Sequence, residues 1–141
     1  MEIASLEFNQ EFKAPLSKLW EAWTNKEEMA QWLSPEGMTC KIDTFDLTIG
    51  GTFRIVMTAP DGSVFTAGGA FTEITPMEKL SMSWAWETGD TDESRLTISF
   101  AGNEESSSMK FVHDQFKTEL AKTKHNEGWA STFRKLEKFV A

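Results

Sequence analysis

Apolar and polar residues alternate at the start of the chain. Leu6, Phe8 and Phe12 are spaced by Glu7, Asn9 and Glu11, the period of two that predicts a first strand. Ala14-Pro15 then interrupts the pattern, and a proline suits the first turn of a helix. Leu16, Leu19, Trp20 and Trp23 follow at i, i+3, i+4 and i+7, one apolar face of a short helix. Asn25 with Glu28 three residues on is a capping pair that starts a second helix. Its apolar face is Met29, Trp32 and Leu33, and Ser34-Pro35 ends it.

From Met38 to His113 the period returns to two. Met38, Cys40 and Ile42 form one strand, and Phe53, Ile55 and Met57 form another beyond Gly50-Gly51. Pro60 to Ser63 is a turn into a long strand from about Val64 to Ile74, where Gly68-Gly69 predicts a bulge or sharp bend. Leu80, Met82, Trp84 and Trp86 mark the next strand; Leu96, Ile98 and Phe100 the one after; Met109 and Phe111 the last. The turns between them are short, which requires antiparallel neighbours. From about Thr118 to Val140 the period becomes helical, with Trp129, Phe133, Leu136 and Val140 on one face.

The predicted order is one strand, two short helices, six strands and a long helix, in one α+β domain over residues 1–141. Seven strands in one sheet twist and coil, and paired glycines add curvature. A single helix about 10 Å across cannot fill such a sheet along its length. The remaining space is either closed by large side chains or left as a pocket. Gly128 inside the last helix costs about 1 kcal/mol relative to alanine. It either brings the helix close to the sheet or leaves room for a ligand.

Composition narrows the partners. Acidic residues outnumber basic ones 22 to 14, for a net charge of −8, which disfavours nucleic acid and anionic membrane surfaces. No apolar run approaches the length of a bilayer span. Met1 to Ser5 shows no basic-then-apolar leader, so the expected location is the cytoplasm. Cys40 stands alone, which excludes an internal disulfide and a multi-cysteine zinc site. The 6 Trp and 11 Phe, with no Tyr, make an aromatic surface almost free of hydroxyls. That suits a dry core or an apolar pocket.

The ordered motifs Phe12-Lys13-Ala14-Pro15 to Trp20, Trp32 to Gly37, Asp46 to Arg54, Gly69 to Pro76, Lys79-Leu80 to Trp84 and Gly128-Trp129 with Leu136 span nearly the whole chain. In them the chain resembles the family of homologues of the ninety-kilodalton heat-shock protein ATPase activator. That family lies in the START-related superfamily that includes the birch pollen allergen. The resemblance implies the helix-grip fold, a curved seven-stranded antiparallel sheet wrapped around a long C-terminal helix. Thr48 stands where relatives often carry arginine, and Asn103 to Ser108 lacks the usual glycine-rich turn followed by threonine. The superfamily holds lipid and hormone carriers, polyketide cyclases and co-chaperone domains on one scaffold, and fold alone does not fix function.

Three functions follow as expectations. The first is binding of a small apolar or amphipathic molecule in an internal cavity between sheet and helix. Trp32, Arg54, Phe71, Trp84, Trp86, Phe111, His113, His125 and Trp129 are its candidate contacts. The second, from the resemblance, is a chaperone-associated module. The third is a cyclase-like or hydrolytic enzyme, for which His113, His125, Glu73 and Glu87 are the available acid–base groups. Each has a plainer alternative: surface or packed histidines, solvated strand carboxylates, an Arg54 ion pair with Glu73 or Asp46, and a packed Cys40 thiol. No nucleophile elbow, phosphate loop or close-spaced ligand motif calls for a cofactor or metal.

Overall fold

The computed structural model describes residues 3–141. The elements run β1 (Leu6–Phe12), α1 (Leu16–Thr24), α2 (Lys26–Trp32), β2 (Thr39–Phe45), β3 (Thr52–Thr58) and β4 (Val64–Thr75). They continue with β5 (Lys79–Trp86), β6 (Ser94–Gly102), β7 (Ser107–Asp114) and α3 (Glu119–Val140). All seven strands form one antiparallel sheet in the order β1-β7-β6-β5-β4-β3-β2. Strands β2 to β7 are thus a meander of neighbouring hairpins, and β1 closes onto β7 across the intervening chain.

Local chemistry explains the boundaries. The Asn25 side chain accepts from the Glu28 N–H at 3.0 Å, and Thr118 does the same for Ala121 at 3.0 Å. Each satisfies one of the N–H groups that a helix start leaves open. At the double glycine the β4–β5 pairing lapses. It holds at Ala67↔Trp86 and Gly68↔Ala85, and resumes at Phe71↔Met82. Between them the Ala70 N–H donates to the Ser83 hydroxyl instead. The register shift itself lies just beyond, between Phe71 and Glu73. The glycines are needed for close approach: a Cβ on Gly69 would sit 2.0 Å from the Ser83 carbonyl oxygen.

One sheet face is apolar and covered by the helices; the other is polar and wet. Arg54 projects from the wet face, where its guanidinium donates to Glu87 and to Asp43. Arg95 donates to Asp114 on the same face at 2.7 and 3.1 Å. Helix α3 does not lie centrally over the sheet. Its backbone comes closest to β1, α1 and α2, and stays farther from β3, β4 and β5. Its buried residues are Trp129, Thr132, Phe133, Leu136 and Val140. Three of its side chains hold it to the segment after α2, and the first, the Ser131 hydroxyl, accepts from the Glu36 N–H at 2.7 Å. Arg134 donates to Glu36 at 2.7 Å, and Lys135 donates to the Ser34 hydroxyl at 2.9 Å and the Met38 carbonyl at 3.3 Å.

Because the atom met by a Cβ at position 69 belongs to the backbone, Gly69→Ala forces the β4–β5 ladder apart. We expect a loss of about 2 kcal/mol or more, the overpacking range, read as a lower urea midpoint at unchanged slope.

Candidate functional site

The internal cavity expected from the curvature is filled. Trp23 of α1 stacks on Phe111 with ring centroids 6.2 Å apart, and Trp129 of α3 meets Phe111 at 4.7 Å and Trp84 at 5.2 Å. Aromatic side chains thereby reach from helix to sheet and leave a space of only about 10 Å³ there, the room of one water. The space a ligand could use lies elsewhere. Where α3 diverges from β3, β4 and β5, an open groove of about 490 Å³ remains.

Each wall of the groove follows from a local periodicity. Ala121, His125, Gly128 and Thr132 recur at helical spacing along α3 and give it one small, mostly uncharged side. Trp84 and Trp86 sit two apart on β5, so both indoles project from the same sheet face. Met57 and Phe65 are cross-strand neighbours at the end of the β3–β4 hairpin, and the latter is left 46 % exposed by the opening. Pro35 and Met38 close one end; Asp90 and Lys124 stand at the rim. Gly128 meets no atom within 4 Å of an added Cβ, so it faces open space and does not bring the helix onto the sheet.

The polar atoms beneath the groove are nearly all committed. The Trp129 indole N–H donates to His113 Nδ1 at 3.1 Å. An indole nitrogen only donates, so Nδ1 is the unprotonated nitrogen and Nε2 carries the proton of the neutral ring. Nε2 then donates to the Ser94 hydroxyl at 2.6 Å, and that hydroxyl donates to the Trp84 carbonyl at 3.2 Å. Next to it, the Trp86 indole N–H donates to His125 Nε2 at 2.9 Å, which leaves His125 Nδ1 to donate to the Ala121 carbonyl at 2.7 Å. The Thr132 hydroxyl donates to the Gly128 carbonyl at 2.8 Å. The two imidazoles lie 4.7 Å apart, edge to face.

This wiring has a chemical consequence. Ser94 beside His113 has the spacing of a nucleophile–base pair, but the proton points the wrong way. A general base must accept the serine proton at Nε2; here Nε2 donates to the serine and Nδ1 is held by an indole. Both residues are also buried, His113 at 0 % exposure. Burial, with His125 beside it, holds the His113 imidazole down at about 2, and burial lowers His125 as well. Neither ring is charged near neutral pH.

The remaining expected residues scatter. Of the nine, Trp84, Trp86, His125 and Trp129 line the groove, and His113 lies directly behind Trp129. Phe71 borders the small void, and Phe111 is core beneath Trp129. Trp32 is 0 % exposed between α1 and α2, its N–H donated to the Ala22 carbonyl at 3.0 Å. Arg54 is on the opposite face of the sheet and pairs with Asp43 and Glu87, where Glu73 or Asp46 had been expected. Glu73 pairs with Lys79 at 3.3 Å. Burial pushes the Cys40 thiol up to about 11, so it stays protonated. Among the described residues no group of three or more His, Cys, Asp or Glu side chains is placed to hold a metal. Met38, Met57, Phe65 and Lys124 are among the further residues that line the groove outside the nine expected contacts.

A family model described as Activator of Hsp90 ATPase homolog 1-like protein matches residues 13–141. The chain belongs to that family. No curated protein matches it. Among solved structures it is similar to a Chromobacterium violaceum protein, at 21% identity, TM-score 0.87 and 98% of each chain. An AHSA1 protein from Silicibacter pomeroyi gives 24% identity, a TM-score of 0.84 and 96% of each chain. A protein from Arthrobacter aurescens gives 21% and 0.86 over 96% of this chain and 85% of its own. These likenesses show the fold, the helix-grip arrangement of a curved sheet with a long C-terminal helix. No helix among the described residues is long and apolar enough to cross a membrane.

The buried His113 sets a pH dependence. Unfolded, it takes up a proton below about pH 6.5; folded, it does not until about 2. In that window the unfolded chain binds the extra proton, so stability is complete above 6.5 and falls as pH falls, by about 1.4 kcal/mol per unit. The lowered pKa of His125 acts in the same direction. Urea denaturation between pH 6.5 and 4.5 should show this slope, and His113→Gln should remove one proton's share of it. A flat profile for the unsubstituted protein would mean the ring titrates normally when folded.

Proposed function

We propose that the chain binds a small, mainly apolar molecule in the groove between α3 and strands β3 to β5. The observation that carries this reading is the groove itself: about 490 Å³ of space bordered by three tryptophans, beside a helix glycine with nothing near it. That volume lies within the range of small-molecule sites. Binding would draw on removing aromatic and thioether surface from water, about 25 cal/mol per Å². The committed hydrogen bonds of Trp86, Trp129 and His125 keep the floor rigid, so little ordering cost opposes binding. Asp90 and Lys124 at the rim leave room for a polar end directed to solvent.

The family's name also suggests a chaperone-linked role, and the groove favours the small-molecule reading because its volume of about 490 Å³ lies in the range of small-molecule sites. An acyl-transfer or hydrolytic role has its most suggestive pair, Ser94 and His113, in the inverted orientation described above.

Gly128 supplies the test. Gly128→Ala should raise stability by about 1 kcal/mol, the helix propensity difference, and leave binding of the neutral fluorescent probe N-phenyl-1-naphthylamine unchanged. Gly128→Phe should occupy part of the groove and weaken the probe by roughly tenfold or more, since the ring covers apolar area the probe would bury. Lack of probe binding by the unsubstituted protein, or binding untouched by Gly128→Phe, would remove the reading.

A further inference from the structure

His125 is the one imidazole that lines the groove, and an imidazole is the side chain whose charge changes between about pH 5 and 8. Its contacts require the neutral form. The Trp86 indole N–H donates to Nε2 at 2.9 Å, and Nδ1 donates to the Ala121 carbonyl at 2.7 Å. An indole nitrogen can only donate, so its bond needs the lone pair on Nε2. A proton placed there sets one N–H against another, and the bond to Trp86 is lost. The bond to Ala121 lies within α3 and survives, so the ring stays on its helix. The consequence of one proton therefore falls on Trp86, a wall of the groove.

Charged groups face His125 from every side on which it packs. Asp90, Asp92 and Glu93 of the β5–β6 connection and Lys117 of the β7–α3 connection border a second, smaller space with it, and Lys124 borders the groove with it. His113 on β7 lies 4.7 Å away and is kept uncharged by its own burial. Three carboxylates against two ammonium groups favour the imidazolium. Burial opposes it and lowers the pKa of the ring, while the Ala121 carbonyl and Asp90 pull that value back up. The proton thus arrives on the acid side of the ordinary histidine value.

We infer that His125 is a proton-operated latch on the groove: neutral, it holds Trp86 in the wall and an apolar ligand stays; charged, it frees Trp86 and the ligand leaves. The inference rests on the groove-binding reading above and adds its regulation, retention near neutral pH and release on acidification. Two effects act in the same direction. The wall loses the bond that orders Trp86, and a charge appears beside a ligand that has no polar group to solvate it. Linkage makes the effect reciprocal: a ligand that prefers neutral His125 makes the ring harder to protonate by the same factor.

The test follows N-phenyl-1-naphthylamine, which is uncharged throughout, binding to the unsubstituted protein from pH 7.5 to 4.5. Far-UV circular dichroism of the same samples separates release from unfolding. Histidine ring ¹⁵N shifts report protonation, and because His113 is held at about 2, the ring that titrates is His125. Affinity should fall by about tenfold or more as His125 becomes charged, and the Trp86 indole N–H signal should move over the same pH range. Saturating probe should lower the His125 pKa by about one unit for each tenfold of affinity lost. His125→Gln keeps an acceptor oxygen for Trp86 but does not titrate, so its affinity, whatever its value at pH 7.5, should not change down to 4.5.

Equal binding at both ends of the range while His125 becomes charged overturns the latch and leaves groove binding standing. The same acid loss in His125→Gln overturns the assignment to this ring. If that variant does not fold, the reciprocal shift decides alone, and a His125 pKa unmoved by saturating probe overturns the latch. Unfolding before His125 titrates also overturns it, since release would then belong to unfolding. Absence of probe binding at every pH overturns the latch and the groove reading together.

Discussion

A neutral imidazole has one proton and one lone pair, and at His113 both are spoken for from opposite sides. The indole of Trp129 on α3 takes the lone pair, and the hydroxyl of Ser94 on β6 takes the proton. Since His113 itself is on β7, this chain pins the helix to the neighbouring strands β6 and β7. Trp129 is then fixed over Phe111 and against Trp84, and the groove beside it acquires its floor. A parallel bond from Trp86 to His125 fixes the helix one turn earlier. Both contacts depend on uncharged rings, which burial enforces.

The second constraint is volume. A bent sheet of seven strands offers more apolar face than one helix covers, and the chain meets the shortfall in two ways. Near α1 and β1 it uses rings: Trp23, Phe111, Phe133 and Phe8 interlock there at centroid separations of 4.9 to 6.2 Å. Near β3 to β5 it leaves the space open, because the helix lies toward the other edge and Gly128 adds no side chain. The result is a groove with a closed interior behind it. Small-molecule binding fits this division, with the aromatic core acting as a stiff backing wall.

Function on this scaffold is a matter of which side chains border the opening. The candidate acid–base groups have other occupations: Glu73 and Glu87 hold cations on the wet face, and Ser94 and His113 form a buried tie. What reaches the groove is aromatic, thioether and small. The Trp23 and Trp84 indole N–H groups are buried with no hydrogen-bond partner among the described residues.

How much of this was legible in the chain depends on the range of the cause. The period of two from Met38 to Phe111, the capping pair at Asn25 and the helical spacing of Trp129, Phe133, Leu136 and Val140 gave elements, order and the apolar face. These are properties of neighbours in sequence, set by backbone geometry and solvent. Tertiary structure decided the rest. Arg54 was expected among the cavity contacts, but it alternates with the buried Phe53 and Ile55 and so lies on the other sheet face, where its partners Asp43 and Glu87 depend on strand register. Trp32 and Trp84 look alike as isolated aromatic residues; one is sealed between two helices and the other borders the groove, because α3 comes down near β1 and away from β5. Where the helix would lie, and so where the space would remain, was set by contacts between residues far apart in the chain, which no local period encodes.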